Sequence, residues 1–577
     1  MTNRTPGSPT GHGTPPRATE HQPRRRTSPA HDVADHHASQ RHPPALRHVP
    51  AGRHGTARDH RTADPATGTP RLPGTSHRSA PHRSAPRRRP HLPVPARRLL
   101  TLSLLAGLLL SGSAGPALAG TPSAPPKLRP TAPPAEAPRP AATPESAPAA
   151  TPEAAPAAPA ATPDPTDIRS RIEALPGMRV VAERPAATGY RFFELGYRQP
   201  VDHRHPGKGT FEQRLTLLHK SLRRPTVLYT TGYEVGSDPA FRAEPTRLVD
   251  GNQISTEHRY FGTSRPDRPD RPDWSKLDIR QAAGDHHRII RAFKKLYSGA
   301  WLTTGGSKGG MAGVYHRRFY PHDADGTVVY GAPNNTDDRD DTAYDRFLGQ
   351  VGTPACRSAL RAAQREALVR REEMAGRYDR WAREEGQTFH TLGSADKAYE
   401  LAVLRLPLMF WMYSGADGCA SVPAPTATTD ELYRWVDGVS RFPVYTDRSL
   451  ASVLPYFHQL GTQLGYVQFD TAHLAGLLRH PGIQQVRNYV PRDIPLRFQP
   501  DAMPDIDRWV RRHGRELLFV YGENDTARAE PFRLGSGSRD SAVRLAPGAN
   551  HRARIADLTP EDAADATATV RRWAGQH

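Results

Sequence analysis

Short apolar runs alternate with helical patterns in two stretches of this chain, and this alternation constrains the fold more than any other feature. The apolar runs lie at residues 227–230, 254–255, 301–304, 327–330, 517–521 and 543–545. Helical patterns such as residues 285–296 separate them, and most of the runs end at a glycine or a polar loop. Because buried strands that are connected through helices form parallel sheets, the alternation predicts an α/β fold with a mostly parallel sheet.

A long helical segment interrupts this alternation. Residues 337–500 contain extended polar helical stretches, such as 358–385 and 395–411, and few strand signals. We therefore predict one α/β domain, formed by residues 167–336 and 501–577, with a helical lid insertion at 337–500.

The N-terminal part of the chain has a composition that does not favour folding. The formal net charge is +20, and residues 1–98 hold 18 Lys+Arg against 5 Asp+Glu, whereas the part after residue 166 holds 58 against 50. The basic tracts lack interleaved aromatic residues and periodic apolar residues, which favours a disordered basic extension over a nucleic-acid-binding region. We expect no nucleic-acid partner. Residues 120–166 are rich in Ala, Pro and Thr, and are predicted to be a linker or pro-segment.

A secretory signal is predicted at residues 99–119. Two arginines at 97–98 precede an apolar run that ends at Leu110, and an Ala-Leu-Ala cleavage site ends at Ala119. The run is far shorter than the roughly 20 residues that span a bilayer, so we expect a secreted protein with no stable membrane association after cleavage. Because 98 residues before a cleaved signal are unusual, we expect translation to begin nearer the signal. A cytoplasmic tail with an uncleaved anchor is the alternative.

The chain has two cysteines, Cys356 and Cys419. In an exported protein a disulfide between them is favoured, and free buried thiols are the alternative. Two thiols without clustered histidines make a poor ligand set, so we expect no metal and no other cofactor.

A nucleophile motif follows the apolar run at 301–304. Residues 305–310 read Gly-Gly-Ser-Lys-Gly-Gly, which contains the pattern Gly-x-Ser-x-Gly around Ser307. With a strand before it and a helical pattern at 311–320 after it, this pattern predicts a serine on a sharp turn between strand and helix. A structural glycine turn is the alternative, whereas the order Ser-Lys argues against a phosphate-binding loop.

Two later loops supply the partners that a serine nucleophile requires, a base to remove its proton and an acid to orient the base. In α/β-hydrolases the order along the chain is Ser, acid, His. Asp525 and His551 lie in loops directly after the last two predicted strands. We therefore predict an α/β-hydrolase-type fold with Ser307 as nucleophile, Asp525 as acid and His551 as base. Glu523 is the alternative acid and His513 the alternative base.

Two backbone N–H groups are candidates to stabilise the oxyanion of an acyl-transfer reaction. The N–H group of Lys308 is placed by the turn itself, because this residue follows the nucleophile. The second donor should come from the loop after an early strand, and Tyr233 in the segment 231–234 is the favoured residue. A plain turn explains this segment nearly as well.

Five segments resemble, in the same order, a known peptidase family. They read Gln-Pro-Val-Asp-His at 199–203, Gly-Thr-Phe-Glu-Gln-Arg at 209–214, Tyr-Thr-Thr-Gly-Tyr-Glu at 229–234, Glu-His-Arg-Tyr-Phe-Gly at 257–262 and Gly-Gly-Ser-Lys-Gly-Gly at 305–310. The chain resembles the secreted bacterial prolyl tri/tetrapeptidyl aminopeptidases, which are related to the lysosomal Pro-Xaa carboxypeptidase and dipeptidyl peptidase group. The resemblance implies a serine exopeptidase that removes short proline-ended peptides from the N-terminus of a peptide substrate, with a helical lid over its active site.

Three residues depart from the pattern of the lysosomal enzymes. Lys308 stands where those enzymes carry an aromatic residue, Tyr233 where they carry Asn, and Gln463 where they carry Glu. The departures leave the predicted triad intact and bear on how the ends of the substrate are recognised.

An aminopeptidase of this type binds a free α-ammonium group, which requires carboxylates or carbonyls at a fixed distance from the serine. Glu257 and Glu234 are the candidates, because both lie in loops after early strands. A salt bridge between Glu257 and Arg259 is an equally favoured alternative.

The leading hypothesis is a secreted serine peptidase that releases tri- or tetrapeptides ending in proline. A carboxylester hydrolase that uses the same triad is the alternative enzyme. A non-catalytic binding protein is disfavoured, because residues competent for catalysis occupy all three triad positions. In either enzyme, activity is expected to fall at acid pH, as the imidazole of His551 is protonated and no longer accepts a proton.

Overall fold

The structure is a computed structural model that describes residues 166–266 and 272–576. The predicted basic extension at 1–98, the predicted signal at 99–119 and all but the last residue of the predicted linker lie outside the described residues. Within the described residues, no helix is both long enough and apolar enough to cross a bilayer.

Nine strands of the described chain form one sheet. Their bounds are Met178–Arg184 (β1), Arg191–Pro200 (β2), Thr210–His219 (β3), Thr226–Thr230 (β4), Asn252–Thr256 (β5), Trp301–Gly306 (β6), Gly326–Tyr330 (β7), Leu517–Gly522 (β8) and Ala542–Ala546 (β9). The order across the sheet is β1-β2-β3-β5-β4-β6-β7-β8-β9. Pairing is antiparallel from β1 to β5 and parallel from β5 to β9. The six strands predicted from apolar runs are the six that pair in parallel, which confirms the predicted α/β fold.

The three strands at the N-terminal edge of the sheet, β1 to β3, were not predicted. β1 alternates between buried and exposed positions, and β3 begins with a similar alternation before its last residues become buried. Antiparallel strands of this kind carry charged residues on one face, so they lack the continuous apolar run that marks a strand covered on both faces.

Thirteen α-helices lie before, between and after the strands of the described chain. Their bounds are Ile168–Glu173 (α1), Glu244–Leu248 (α2), Ile279–Phe293 (α3), Lys308–Phe319 (α4), Thr342–Gln350 (α5), Pro354–Val369 (α6), Arg371–Glu384 (α7), Ala395–Leu404 (α8), Leu406–Tyr413 (α9), Thr429–Ser440 (α10), Asp447–Gln459 (α11), Ala502–His513 (α12) and Pro560–Trp573 (α13).

Helices cover both faces of the central strands. On β7, Val328 packs in one cluster with Val570 of α13, whereas the next residue, Val329, packs in another cluster with Val314 of α4. Successive residues of a strand point to opposite faces, so both faces of this strand are buried. This double burial is the reason that β7 and β8 are mostly apolar along their length.

The chain between β7 and β8 is helical. These two strands are neighbours in the sheet, and the described segment between them forms helices α5 to α12 and contributes no strand to the sheet. Most of its buried apolar side chains belong to one cluster with Val329 and Phe519 of the sheet, and a smaller cluster contains Tyr344, Leu408 and Phe469. A disulfide joins Cys356 to Cys419 with a Cα–Cα distance of 5.4 Å, which is the pairing favoured from the sequence. The exact domain boundaries at 337 and 500 remain a prediction.

Candidate active site

The serine of the nucleophile motif lies on a strained turn between β6 and α4. Ser307 has φ 53° and ψ −127°, a conformation that residues other than glycine rarely adopt. Its N–H donates to the carbonyl oxygen of Tyr330 in β7 at 2.8 Å. The structure therefore places Ser307 on the turn that the Gly-x-Ser-x-Gly pattern predicts.

Glycine is needed around this turn because the loop after β4 lies directly against it. A Cβ added to Gly309 would lie 2.1 Å from the carbonyl oxygen of Thr230, and a Cβ added to Gly305 would lie 2.7 Å from the same oxygen. Gly232 in the β4 loop has φ +77°, and a Cβ there would lie 2.6 Å from the backbone nitrogen of Gly309. These approaches bring the loop that carries Tyr233 next to the nucleophile.

The predicted acid and base form a buried pair after β8 and β9. Nδ1 of His551 donates to both carboxylate oxygens of Asp525, at 2.9 Å each, and the Asp525 side chain is fully buried. An imidazole that carries its proton on Nδ1 presents Nε2 as an acceptor. Ser307 and His551 line the same cavity. Ser307 and the Asp525-His551 pair therefore lie at the same edge of the sheet, at the carboxyl ends of the parallel strands.

A glycine after β7 leaves room for the Asp-His pair. Gly331 has φ +51°, and a Cβ there would lie 2.9 Å from Oδ2 of Asp525 and 3.0 Å from Nδ1 of His551. Any larger residue would displace the pair that orients the base.

The alternative acid and base have other places in the fold. Glu523 accepts a hydrogen bond from the N–H of Gly548 at 2.8 Å and so braces the loop before His551. His513 is the last residue of α12, which precedes β8. The geometry favours Asp525 and His551 over both alternatives.

The two predicted oxyanion donors differ in their hydrogen bonds. The N–H of Lys308 is the first of α4 and, like the first N–H groups of any helix, has no partner within the helix. The N–H of Tyr233 donates to Oγ1 of Thr231 at 3.1 Å. The assignment of both groups to the oxyanion remains a prediction, and it requires Tyr233 to exchange this partner for the substrate.

The side chain of Lys308 ties the nucleophile turn to the β4 loop, a contact that the sequence analysis missed. Lys308 is buried, and its Nζ donates to the carbonyl oxygen of Gly232 at 2.6 Å. Burial holds the pKa of Lys308 well below its ordinary value. The Gly232 carbonyl and the Tyr233 N–H belong to one planar peptide group, so this bond fixes the direction of a predicted oxyanion donor.

Glu257 is enclosed by its own loop and by the loop after β4. Its Oε1 accepts from the N–H groups of Thr263 and Ser264, at 3.0 Å each, and from the Ser264 hydroxyl at 2.8 Å. Its Oε2 accepts from the N–H of Val235 at 3.2 Å. Burial raises the pKa of Glu257, and these hydrogen bonds oppose the rise. The assignment of Glu257 to the substrate ammonium stays a prediction, and it requires the carboxylate to exchange some of these hydrogen bonds for the substrate.

The alternative salt bridge between Glu257 and Arg259 is not formed. Arg259 donates through Nε and Nη2 to the two carboxylate oxygens of Asp285, at 2.7 Å each, and both residues are fully buried. Burial alone raises the pKa of Asp285, but the Arg259 guanidinium outweighs it and lowers that pKa to about 2. The segment 257–262 is thus a structural part of the core.

Two further residues considered for recognition of the substrate ends lie outside the cavity wall. Glu234 is half-buried, and its carboxylate has no hydrogen bond or ion pair with any described residue. Its role remains a prediction. Oε1 of Gln463 accepts from the N–H of Ile279 at 2.8 Å, so this residue connects the end of the π-helical turn after α11 to the start of α3.

Ser307 and His551 line a cavity of about 230 Å³. Most of its wall comes from the chain between β7 and β8, and it is mainly apolar and aromatic. The aromatic residues are Tyr344, Tyr445, Tyr456, Phe457, Tyr466 and Tyr489. Among the described residues that line it, Arg405 is the only Lys, Arg, Asp or Glu. No local sequence signal distinguishes these wall residues, because they come together only through the packing of separate helices.

A serine on such a turn, served by a histidine and an aspartate from later strand ends of a parallel sheet, defines the class of serine hydrolases with the α/β-hydrolase fold. Comparison with known proteins narrows the class. The chain belongs to the PS-10 peptidase S37 family, whose sequence pattern matches residues 161–577. It is therefore a serine peptidase.

The chain is also similar to individual proteins. The chain is 55% identical over 420 residues to the prolyl tri/tetrapeptidyl aminopeptidase of Streptomyces mobaraensis. These residues cover 72% of this chain and 87% of that protein. It is 27% identical over 187 residues to the serine protease vicPb of Bipolaris victoriae (strain FI3), which covers 29% of this chain and 35% of that protein. Among solved structures, proline iminopeptidase of Mycobacterium smegmatis is 15% identical with a TM-score of 0.32, over 66% of this chain and 98% of that one. The first relative confirms the family resemblance drawn from the sequence motifs.

Proposed function

We propose that this chain is a serine exopeptidase that releases tri- or tetrapeptides ending in proline from the N-termini of peptides. The observation that carries the proposal is the placement of Ser307 on a strained turn in a cavity shared with His551, which is bound to Asp525. The peptidase family and the similarity to a prolyl tri/tetrapeptidyl aminopeptidase support the substrate class. The apolar and aromatic wall suits a proline ring, which has no polar group to satisfy.

The proposed reaction is acyl transfer in two halves. Nε2 of His551 accepts the proton of Ser307 as Oγ attacks the carbonyl carbon of the proline, and Asp525 stabilises the imidazolium that forms. The backbone N–H of Lys308 donates to the oxyanion. The imidazolium then gives its proton to the departing amine, which leaves an acyl-enzyme. Water, deprotonated by the same imidazole, attacks that ester. The imidazolium returns the proton to Oγ of Ser307 as the acyl–oxygen bond breaks, which releases the proline-ended peptide and restores the enzyme.

A labelling and turnover experiment tests this function. The purified chain is treated with a fluorophosphonate probe, and separate samples are incubated with the p-nitroanilide of Ala-Ala-Pro and with p-nitrophenyl butyrate. We expect labelling at Ser307 and turnover of the peptide. Turnover of the butyrate alone would support a carboxylester hydrolase instead, and absence of labelling would support a non-catalytic protein. Acetylated Ala-Ala-Pro p-nitroanilide is the control for a free N-terminus, and equal turnover of both peptides would contradict aminopeptidase action.

We further propose that the protein acts outside the cell after export through the signal at residues 99–119. The disulfide between Cys356 and Cys419 supports this, because structural disulfides persist in oxidising compartments. Mass spectrometry of protein recovered from the culture medium tests the proposal. The expected N-terminus lies at or after Gly120, and a protein found only with the cells that retains residues 1–90 would contradict it.

A further inference from the structure

Arg405 lies in the wall of the active-site cavity at the junction of α8 and α9. Its Nη1 donates to the hydroxyl of Tyr466 at 2.7 Å. Its guanidinium carbon lies 5.0 Å from the ring centroid of Tyr466 and 5.5 Å from that of Phe469. These contacts fix the position of the guanidinium by one hydrogen bond and by two aromatic faces, without neutralising its charge.

Arg405 differs in this respect from the fully buried arginines of the chain. Among the described residues, Arg259 binds Asp285, Arg317 binds Glu516 and Arg371 binds Asp396 and Glu400. No described carboxylate lies within ion-pair distance of Arg405. A guanidinium has five N–H donors, and only one of those of Arg405 has a described acceptor. None of its nitrogens is both enclosed and unpaired, so the remaining donors face open space.

A cation without a counter-ion in a largely apolar cavity is costly unless a ligand supplies the missing charge. Carboxylates match the planar donor pair of an arginine and form its strongest hydrogen bonds. The same charge repels an α-ammonium group from this part of the cavity. The wall therefore selects for an anionic group on the bound peptide.

We propose that Arg405 is a carboxylate-binding subsite of the active-site cavity, and that its ligand is a carboxylate of the peptide substrate. This inference rests on the proposed peptidase function and adds a charge preference to it. A peptide can bring the carboxylate from two sources, which are an acidic side chain in the released tri- or tetrapeptide and the C-terminus of a short leaving part.

Matched substrate pairs distinguish the two sources. For the released part, the p-nitroanilides of Ala-Glu-Pro and Glu-Ala-Pro are each compared with the Gln peptide of the same shape. For the leaving part, Ala-Ala-Pro-Ala with a free C-terminus is compared with its amide. Each pair differs by one charge and little else, so the ratio of kcat/KM within a pair measures the contribution of the carboxylate.

The variants are Arg405→Gln, Arg405→Lys and the control Arg479→Gln. Arg479 is an exposed arginine of the same helical segment, where it pairs with Glu372, so its substitution removes the same charge without touching the cavity. We expect the wild type to prefer the carboxylate member of at least one pair by about tenfold. The preference should fall below about twofold in Arg405→Gln, persist in part in Arg405→Lys and remain intact in Arg479→Gln.

Two results would overturn the subsite. One is a wild type that treats both members of every pair alike, and the other is a preference that survives in Arg405→Gln. Turnover of Ala-Ala-Pro p-nitroanilide reports separately on the proposed function, because this peptide lacks the carboxylate. Calorimetric binding of the same pairs to Ser307→Ala protein, with and without Arg405→Gln, tests the subsite even if no peptide is turned over.

Discussion

The α/β core and the helical segment between β7 and β8 contribute to the active site in different ways. The core holds Ser307, Asp525 and His551 on turns after β6, β8 and β9, and Ser307 has a positive φ that few residue types adopt. The helical segment supplies most of the cavity wall through side chains. We therefore infer that the chemistry depends on the turns of the core. We infer that substrate selection depends on the side chains of the helical segment. Core variants should therefore change kcat, and variants of the helical segment should change selectivity or stability.

The two regions meet at the end of α9. The N–H of His551 donates to the carbonyl oxygen of Met412 at 3.2 Å, and the side-chain amide of Asn550 donates to the carbonyl oxygen of Tyr413 at 3.0 Å. α9 begins directly after Arg405. One short helix thus connects the proposed carboxylate subsite to the loop of the base.

Removal of the nucleophile should cause the largest loss of activity. This loss should come from the core alone. We expect Ser307→Ala to lower kcat for Ala-Ala-Pro p-nitroanilide by at least about 10⁴-fold. The midpoint of thermal unfolding should not fall, because alanine needs no partner at this position. Steady-state kinetics and calorimetry measure both quantities. Undiminished turnover would remove the assignment of Ser307.

Removal of the disulfide from the helical segment should lower stability and change kcat little, whereas Ser307→Ala should lower kcat and leave stability unchanged. Cys356 and Cys419 are 63 residues apart, and breaking a cross-link of that span costs about 3–4 kcal/mol of unfolding free energy. We expect this loss in the double variant Cys356→Ser, Cys419→Ser, measured by urea unfolding. At a temperature where the variant stays folded, its kcat should remain close to that of the wild type. A loss of kcat comparable to that of Ser307→Ala would break the separation between the two regions.

Displacement of the Asp525-His551 pair should lower kcat, but by less than Ser307→Ala does. In Gly331→Ala the new methyl group meets Oδ2 of Asp525 at 2.9 Å and Nδ1 of His551 at 3.0 Å. We expect kcat to fall by about 10- to 100-fold, because the base loses its orientation. The matched control is Gly386→Ala, where φ is also positive, at +61°, and a Cβ would meet nothing within 4 Å. Equal kinetics for both variants would show that the pair tolerates the displacement.

The parts of this site that could be predicted are those encoded locally. Ser307, Asp525 and His551 each follow a predicted strand, so the Gly-x-Ser-x-Gly pattern and the order along the chain were sufficient. The hydrogen bonds of Glu257 were not predictable, because they depend on the turn at 263–264 folding back over the carboxylate. Arg405 carried no signal, since its surroundings are formed by side chains from distant parts of the chain.

An acidic segment before α5 holds part of the cavity wall in place. Oδ1 of Asp338 accepts from the N–H of Tyr466 at 2.6 Å, and Oδ2 of Asp341 accepts from the N–H of Gln468 at 3.1 Å. Oδ1 of Asp341 is enclosed without a hydrogen-bond partner. Burial raises the pKa of Asp341 to about 6, although the Gln468 hydrogen bond opposes the rise.

The smallest expected effect follows from this raised pKa. Between pH 4 and pH 6 the folded protein holds a proton on Asp341 that the unfolded chain has released, so the free energy of unfolding falls as the pH rises through this window. Asp341→Asn keeps an oxygen to accept from Gln468 and removes the ionisation. At pH 7.5 the variant should be more stable than the wild type by about 1 kcal/mol, because solvent screens a half-buried group and reduces the full value. At pH 4 the gain should vanish. Urea unfolding at both pH values measures the difference, and an equal gain at both would show that burial of the charge is not its cause.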